Sequence, residues 1–302
     1  MKDEHITYKG IVLKAKIRRI IGAIIVYSIV CIPLIPIVLM YGWLIIQAFS
    51  GKPVSWLIPN DIPGGLSKNW RFLYGPITKG GTVLYRDFWR LVFNTLLLSL
   101  GTTGLVVAIT SLAGYAISRF EFRGRDPLLK SVVVLHSIPG VLFLIALMYL
   151  LNYLGLYGKG FWTLVTVILI KGGLESPMYT WMLKGFFDAV PWELEWAALV
   201  DGCSRFKAWR KVVLPLIFPG IAAVSIFAFL SGWGEYLLVY TYITEAENYT
   251  LSVALSDLTY EFLYIDYGML AAFSLFYMLP AVIFFITTQK YLMRMRVIAY
   301  KG

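Results

Sequence analysis

Long apolar runs separated by shorter polar segments dominate the chain. Stretches without a charged residue cover 20–51, 91–118, 131–158, 212–234 and 267–289. A sixth apolar run, 160–183, is interrupted by Lys171 and Glu175. A transmembrane helix needs about 20 mostly apolar residues, so each run is long enough to cross a bilayer. The pattern predicts six transmembrane helices, at about 20–49, 92–118, 131–154, 161–183, 214–242 and 267–290.

The composition excludes an ordinary soluble domain. Of the 302 residues, 59% are hydrophobic and 16% aromatic, and the mean hydropathy is +0.73. A soluble protein of this size covers its surface with polar side chains, and this chain has too few of them. Cys31 and Cys203 offer no disulfide framework, and His136, a histidine without matching ligands in its predicted helix, offers no metal site. We expect an all-α, multi-pass integral protein of the inner (cytoplasmic) membrane.

The positive charges predict the orientation. The net charge is +10, and 19 of the 27 lysines and arginines lie in four segments, 1–19, 119–130, 184–211 and 290–302. The connection 245–266 has none. Because positive residues stay on the cytoplasmic side, both termini are expected there. The basic excess therefore reports membrane topology, and the expected partner is the lipid bilayer with no nucleic acid.

The chain is expected to consist of a cytoplasmic arm, 1–19, and one transmembrane permease domain, 20–302. This domain carries an outer loop, 50–91, and a cytoplasmic loop, 184–213. The outer loop is rich in Gly, Pro and aromatic residues. Two alternatives stay open for it: an ordered segment against the membrane or a partner, or a plain loop with interfacial aromatic residues.

The segment 191–215 differs from the other connections, because seven of its 25 residues are charged, against 15% of the whole chain. Glu193 and Glu195 fall in the first turn of a predicted helix, where acids interact favourably with the helix dipole. Gly202 is suited to end that helix in the left-handed conformation, and Ser204 to cap a second one. The pattern predicts two short helices around a tight turn. A helix pair that only rests on lipid headgroups would carry the same mixture of residues.

The spacing in this segment resembles the cytoplasmic loop of binding-protein-dependent ABC importer permeases. That family's pattern is Glu-Ala-Ala, three residues, Gly, nine residues and Ile-x-Leu-Pro. Ala197-Ala198, Gly202 and Val212-Val213-Leu214-Pro215 stand at the corresponding spacing. Motifs elsewhere are similar to the sugar-uptake branch with the maltose permeases: Asn94-Thr95, AGYAISRF at 113–120, FRGR at 122–125, Gly155-Leu156-Tyr157 and WMLKGFF at 181–187.

The resemblance implies a type I ABC importer permease fold and a MalG-like inner membrane subunit of a maltose, trehalose or oligosaccharide importer. It also implies four kinds of partner: a homologous MalF-like permease, two cytoplasmic MalK-like ATPases, an extracytoplasmic solute-binding protein and the bilayer. The string Gly-x-x-x-x-Gly-Lys-Ser/Thr does not occur in the chain. We therefore expect a subunit without catalytic residues or a cofactor of its own, with ATP and Mg used by the partner ATPase.

In this family the cytoplasmic loop docks on an ATPase as a coupling helix. The family Glu falls on Trp196 here, and Glu195, one residue earlier, points about 100° away around a helix. Trp196 is not expected to act for the missing acid, and its ring either packs into the partner or folds back onto Glu193 and the membrane. The tail 294–302 resembles tails that reach the ATPase interface, or is a basic stop-transfer tail. The coupling residues implied are Glu193, Glu195, Trp196, Ala197, Ala198, Asp201, Gly202, Arg205, Leu214 and Pro215.

Polar residues within the spans are candidates for the substrate path. Lys171 and Glu175 stand one helical turn apart and can pair along one face. Charges at membrane depth are costly, and they mark either a self-neutralising pair or the lining of a pathway. Trp233, Glu235 and Tyr236 combine rings with an acid, which suits sugar binding, although anchoring at the membrane interface explains them as well. These five residues are the substrate-path candidates.

Other functions remain open at this stage. An ABC permease for a polyol, glycerol phosphate or a peptide is the nearest alternative. An ion-driven secondary carrier would use the charges at 171, 175 and 235 but would not explain the loop spacing. A membrane scaffold without transport activity would leave those charges unexplained.

Overall fold

The computed structural model shows a largely helical chain and describes residues 2–52, 58, 61–260 and 265–293. The tail 294–302 lies outside the described residues, so its two alternatives stay open. Fourteen helices are described: α1 Lys2–Cys31, α2 Leu34–Ala48, α3 Ile62–Asn69, α4 Phe88–Arg119, α5 Arg125–His136, α6 Leu144–Tyr153, α7 Phe161–Asp188, α8 Trp192–Val200, α9 Arg205–Ala208, α10 Leu214–Leu216, α11 Phe218–Trp233, α12 Leu237–Tyr242, α13 Leu251–Thr259 and α14 Tyr267–Met293.

The chain divides into two compact units. One contains Met1–Trp70 and Tyr267–Ala272, and the other contains Arg71–Asp266 and Phe273–Gly302. In the first unit, the buried Asn69 amide donates to the backbone oxygens of Gln47, Ala48 and Ser50, at 3.2, 3.1 and 2.9 Å. These bonds hold the end of α3 against the end of α2. Both candidate sites described below belong to the second unit.

Some helices could cross a bilayer alone, and others only as bent pairs. Two helices are each long and apolar enough to cross a bilayer, α4 and the Tyr267–Lys290 part of α14. Three pairs meet that requirement only when joined across a break: Arg18–Cys31 with Leu34–Ala48, bent by 44°, Arg125–His136 with Gly140–Tyr153, bent by 90°, and Arg205–Leu216 with Phe218–Trp233, bent by 77°. The described part of the chain therefore contains up to five spans by length and composition. The remaining predicted span, 161–183, falls in α7, which Lys171 and Glu175 make more polar.

A small β-hairpin in the outer loop modifies the all-α expectation. Strands β1 (Ile77–Lys79) and β2 (Thr82–Tyr85) pair antiparallel, and the connecting Gly80 and Gly81 have φ of 56° and 83°. Positive φ at both central residues is what a two-residue hairpin turn requires, and glycine adopts it without steric cost. The sequence signal was the Gly-Gly pair between two β-prone triplets.

The hairpin packs against α13 of the same unit, so this part of the outer loop is ordered by the chain itself. Lys79 Nζ donates to the Asp257 backbone oxygen at 2.8 Å, and the Tyr85 hydroxyl donates to the Asp257 carboxylate. Burial and the hydrogen bond to Asp257 raise the pKa of Tyr85. The phenol therefore remains a donor at neutral pH.

Helix α4 lies at the centre of the second unit and approaches α7 and α11 through small residues. A Cβ added to Gly172 would lie 2.5 Å from Leu105 Cδ2, and one added to Gly101 would lie 2.9 Å from Ile168 Cδ1. The same addition at Gly232 would lie 2.8 Å from the Cα of Ser99. Small residues allow this proximity, which is the main source of helix association in lipid.

We predict that Gly232→Ala lowers the thermal stability of the detergent-solubilised protein. The new Cβ would meet the Ser99 backbone, which no side-chain rotation relieves, and overpacking typically costs about 1–3 kcal/mol. Gly104→Ala on α4 is the matched control, because its Cβ would have nothing within 4 Å. Helix propensity favours Ala by about 1 kcal/mol, so the control should be neutral or stabilising. Equal melting temperatures for both variants would contradict this packing.

Candidate coupling helix and intramembrane polar cluster

The segment 191–215 forms the predicted helix, tight turn and second helix. Gly202 has φ of +83° and ends α8, with Gly202 N donating to Leu199 O at 3.1 Å and Cys203 N donating to Ala198 O at 3.0 Å. These two bonds make a Schellman motif, which satisfies carbonyls left unpaired at a helix end. The Ser204 hydroxyl then accepts a bond from Lys207 N at 3.3 Å and caps α9. The turn is thus set by local sequence.

The second half of the segment returns the chain to the core. Residues Trp209–Val213 form a short π-helical stretch that leads into α10. Trp209 and Val213 are buried there and pack with Tyr115 of α4 and Phe187 of α7. A π-helical stretch changes the register of side chains along a helix, and here it places both residues inward.

Glu195 is the buried anchor of α8. Its side chain is 4% exposed and lies 2.9 Å from Arg119 Nε, and the Tyr115 hydroxyl donates to its other oxygen. Arg119 also donates to the Val190 backbone oxygen at 2.9 Å, and its guanidinium lies 4.6 Å from the ring centroid of Trp192. Both Glu195 oxygens accept a hydrogen bond, and Arg119 donates to Glu195 and to the Val190 carbonyl. Glu195 therefore positions α8 within the chain.

The outward surface of α8 and α9 is unusually apolar for a segment between spans. Its exposed side chains, with their exposed fractions, are Trp192 40%, Leu194 45%, Trp196 58%, Val200 88% and Phe206 61%. The Trp192 and Trp196 rings lie 6.1 Å apart. We call these five residues the apolar patch. A concentration of exposed apolar side chains on one short segment indicates a binding surface.

The other implied coupling residues lie in the same segment as the patch. Glu193, Ala197, Asp201, Gly202 and Pro215 are exposed, and Ala198 and Leu214 are half-buried. Arg205 is exposed, and its guanidinium lies 5.2 Å from the centroid of the Phe120 ring. Exposed polar groups around an apolar centre are the usual anatomy of a protein interface.

A second polar tie joins the ends of α4 and α7 beside the anchor. The Ser118 hydroxyl donates to the Asp188 carboxylate at 2.6 Å, and Lys184 pairs with its other oxygen. Burial raises the pKa of Asp188, but the hydrogen bonds from Lys184 and Ser118 outweigh this effect, so the pKa is lowered overall. Asp188 is therefore ionised at neutral pH.

Three charged side chains, two from α7 and one from the connection between α11 and α12, form a cluster. Lys171 Nζ lies 3.0 Å from Glu175 Oε1 and 2.5 Å from Glu235 Oε2. The other Glu235 oxygen accepts from Leu238 N at 2.8 Å, and the Ser231 hydroxyl donates to Glu175 Oε1. Lys171 and Glu175, one helical turn apart, thus form the ion pair that their spacing predicted. Glu235, 60 residues after Glu175, adds a second carboxylate to Lys171.

This cluster borders a cavity of about 580 Å³. Lys171, Glu175 and Glu235 line one wall, and apolar residues around the bend between α5 and α6 line most of the rest. His136 also lines the cavity. No group of three or more His, Cys, Asp or Glu suited to a metal ion occurs among the described residues.

Two substrate-path candidates lie elsewhere. Trp233 is 3% exposed, donates from Nε1 to the Tyr277 backbone oxygen at 2.9 Å, and stacks on the Tyr277 ring. Tyr236 stacks on Tyr240, with ring centroids 5.3 Å apart. Neither residue is among those lining the cavity. Trp233 therefore joins α11 to α14, and the interfacial anchoring considered from the sequence is replaced by a buried packing role.

A family model described as binding-protein-dependent transport system inner membrane component matches residues 107–297. The chain belongs to this family. The match contains α8, Glu195, the apolar patch and all three charges of the cluster. The predicted resemblance is confirmed.

Curated relatives and a solved structure agree with this assignment. The permease is 31% identical over 276 residues to the galactooligosaccharides transport system permease protein GanQ of Bacillus subtilis (strain 168), covering 91% of this chain and 94% of the relative. It is 30% identical over 263 residues to the maltose/maltodextrin transport system permease protein MalG of Vibrio vulnificus (strain YJ016), covering 84% and 88%.

The fold is also that of a solved importer. A chain in the crystal structure of a bacterial ABC transporter involved in the import of the acidic polysaccharide alginate superposes with a TM-score of 0.70 at 20% identity, covering 91% of the permease and 96% of that chain. At this level of identity the likeness concerns the fold alone.

Sequence reasoning missed the partners of Glu195. Tyr115 and Arg119 belong to the quoted motif AGYAISRF, which carried the family resemblance without a role for either side chain. The available signal was an Arg at the end of an apolar span, where a cation needs a partner or water. A pairing across 76 residues of sequence is set by the tertiary fold, so the signal could not name Glu195.

We predict that Glu195→Ala loosens α8 in the permease. Removing one member of a buried ion pair leaves the other charge uncompensated, which costs about 3–5 kcal/mol. The amides of α8 should therefore exchange hydrogen at least tenfold faster, as measured by mass spectrometry on the reconstituted protein. Glu193→Ala, an exposed acid in the same helical turn, is the control and should leave exchange unchanged.

A double variant distinguishes the ion pair from a general loss of packing. In Arg119→Met with Glu195→Met, no buried charge remains unpaired, and replacing both partners by apolar groups is often close to neutral. Protection of α8 should return most of the way to the wild-type level. Slow exchange in Glu195→Ala alone would mean that the ion pair does not hold α8.

Proposed function

We propose that this permease is one of the two membrane subunits of an ATP-driven sugar importer and that it couples to a cytoplasmic ATPase through α8. One observation carries the proposal: an exposed apolar patch lies on a helix that has the family spacing and is fixed from inside by the buried Arg119–Glu195 pair. Support for a sugar comes from the relatives, whose names specify galactooligosaccharides and maltose or maltodextrin.

The proposed complex contains a homologous MalF-like permease, two MalK-like ATPases and an extracytoplasmic solute-binding protein. The family description, a component of a binding-protein-dependent system, supports the last partner. In this complex the permease has six spans with both termini in the cytoplasm, in agreement with the distribution of its Lys and Arg residues. It is non-catalytic and binds no nucleotide, since ATP and Mg belong to the ATPase.

Docking assigns different roles to neighbouring residues of α8. Trp196 and Val200 would enter an apolar cleft of the ATPase, because they are the most exposed apolar side chains on the helix. Ala197 and Gly202 would allow close backbone approach, and Asp201 would contribute a polar contact at the rim. The apolar ring at 196 thus takes the place that an acid has in the family pattern.

We predict that Trp196→Ala weakens ATPase binding about 30-fold or more. Truncating an aromatic residue at the centre of an interface typically costs about 2 kcal/mol or more. The measurement is co-purification of the co-expressed ATPase, followed by ATP-dependent sugar uptake into proteoliposomes. Trp196→Phe retains an aromatic ring and should retain most of the binding.

Two controls make the result specific. Tyr260→Ala truncates an aromatic residue that is 83% exposed in the connection 245–266, on the predicted outer side, and should leave ATPase binding intact. Trp196→Glu restores the acid of the family pattern and should bind weakly, because a charge would enter an apolar cleft. Binding as strong as wild type in both Trp196→Ala and Trp196→Glu would contradict docking through the patch.

A further inference from the structure

The cavity beside the intramembrane charges has a size and lining suited to a small ligand. Its volume of about 580 Å³ lies within the range of about 300–1,000 Å³ usual for ligand pockets. Apolar residues such as Val141, Phe143 and Leu144 form most of the lining, and the charges are confined to one wall. This division matches a sugar, which has apolar C–H faces and polar hydroxyl edges.

The charged wall is unbalanced. Lys171 contributes one positive charge, and Glu175 and Glu235 contribute two negative charges, which leaves a net charge of −1 beside the cavity. The Glu175 and Glu235 side chains are 17% and 11% exposed, so water screens this charge weakly. Unlike a self-neutralising pair, the cluster favours a hydrogen-bond donor and repels an anion.

One acceptor in the cluster has no partner. Both Glu235 oxygens accept hydrogen bonds, one from Lys171 and one from Leu238 N. Glu175 Oε1 contacts Lys171 and Ser231, whereas the buried Glu175 Oε2 is without a hydrogen bond. A buried carboxylate oxygen left unpaired is costly. It leaves part of the Glu175 charge without a compensating donor beside the cavity.

We infer that this cavity is a subsite on the translocation path that binds a neutral saccharide, and that the net negative charge of its wall discriminates against anionic saccharides. The inference rests on the proposed function and adds the class of sugar. Lys171 holds the two carboxylates in place, and together they leave one negative charge uncompensated. A uronate carboxylate in this cavity would face the net negative charge of the cluster, in which Lys171 already pairs with both glutamates.

The test uses a cysteine in the cavity as a reporter of occupancy. Gly173 lines the cavity, and a Cβ added there would have nothing within 4 Å, so Gly173→Cys places a thiol in open space. Cys31 and Cys203 are first replaced by Ser. The variant is assembled with its partner permease and ATPases in nanodiscs, and the rate of alkylation by a polar maleimide is measured with maltotriose or trigalacturonate at up to 50 mM.

Maltotriose should slow the alkylation at least threefold, and trigalacturonate should leave it within experimental error. In Glu175→Gln the cluster is neutral, so the two sugars should slow alkylation to the same extent. Gly185→Cys is the matched control, because Gly185 lies on the same helix, has nothing within 4 Å of an added Cβ and is outside the cavity lining. Neither sugar should affect its rate.

Three outcomes would overturn the inference: equal protection by the two sugars in the parent, unchanged discrimination in Glu175→Gln, or no protection by maltotriose. A thiol that the reagent never reaches would also overturn it, since a translocation subsite meets water. Co-purification of the ATPase and ATP hydrolysis are measured on the same preparation. If the ATPase stays bound and active while maltotriose gives no protection, the subsite fails and the proposed function stands.

Discussion

The buried pair of Arg119 and Glu195 determines where α8, the proposed coupling helix, lies. Arg119 ends α4, and Glu195 is in the first half of α8, so the pair joins a core helix to the segment between spans. An ion pair with side chains 2% and 4% exposed is favourable only when additional hydrogen bonds satisfy its remaining groups. The Tyr115 hydroxyl and the Val190 carbonyl supply them. A motion of α8 that kept this pair would have to include the end of α4.

Helix α4 links the Arg119–Glu195 pair to α7. It packs on α7 so closely that Gly101 and Gly172 have no room for a Cβ without displacing Ile168 or Leu105. Closely packed helices move as discrete bodies, because interiors at this density are not continuously deformable. α7 carries Lys171 and Glu175, so the coupling helix and the wall of the cavity are linked through two packed helices. This is a physical route by which closure of an ATPase could change the cavity.

The degree to which the sequence predicted these features depends on the range of the interactions involved. The Schellman turn at Gly202 and the Ser204 cap are local, and their residue types indicated them. The pair of Lys171 and Glu175 followed from helical spacing alone. Glu235, Tyr115 and Arg119 are contributed by distant segments, and no local pattern could assign their partners. The contact of Trp233 with α14 is also long-range. A Trp at the end of an apolar run suggested anchoring at the membrane interface, and only the fold shows Tyr277 of α14 beside it.

The presence of Trp196, where the family pattern has Glu, fits the way the rest of α8 is held. A helix that presents an acid to its partner can be held by few internal contacts, because the ion pair with the partner contributes to its position. Here the acid is one residue earlier, faces inward and binds Arg119, so the chain positions α8 without a partner. The outer surface is then free to be apolar, and burial of apolar area is nondirectional. In the proposed docking, a helix whose orientation is set internally needs less directional contact with the ATPase, and an apolar Trp196 meets that requirement better than a second acid would.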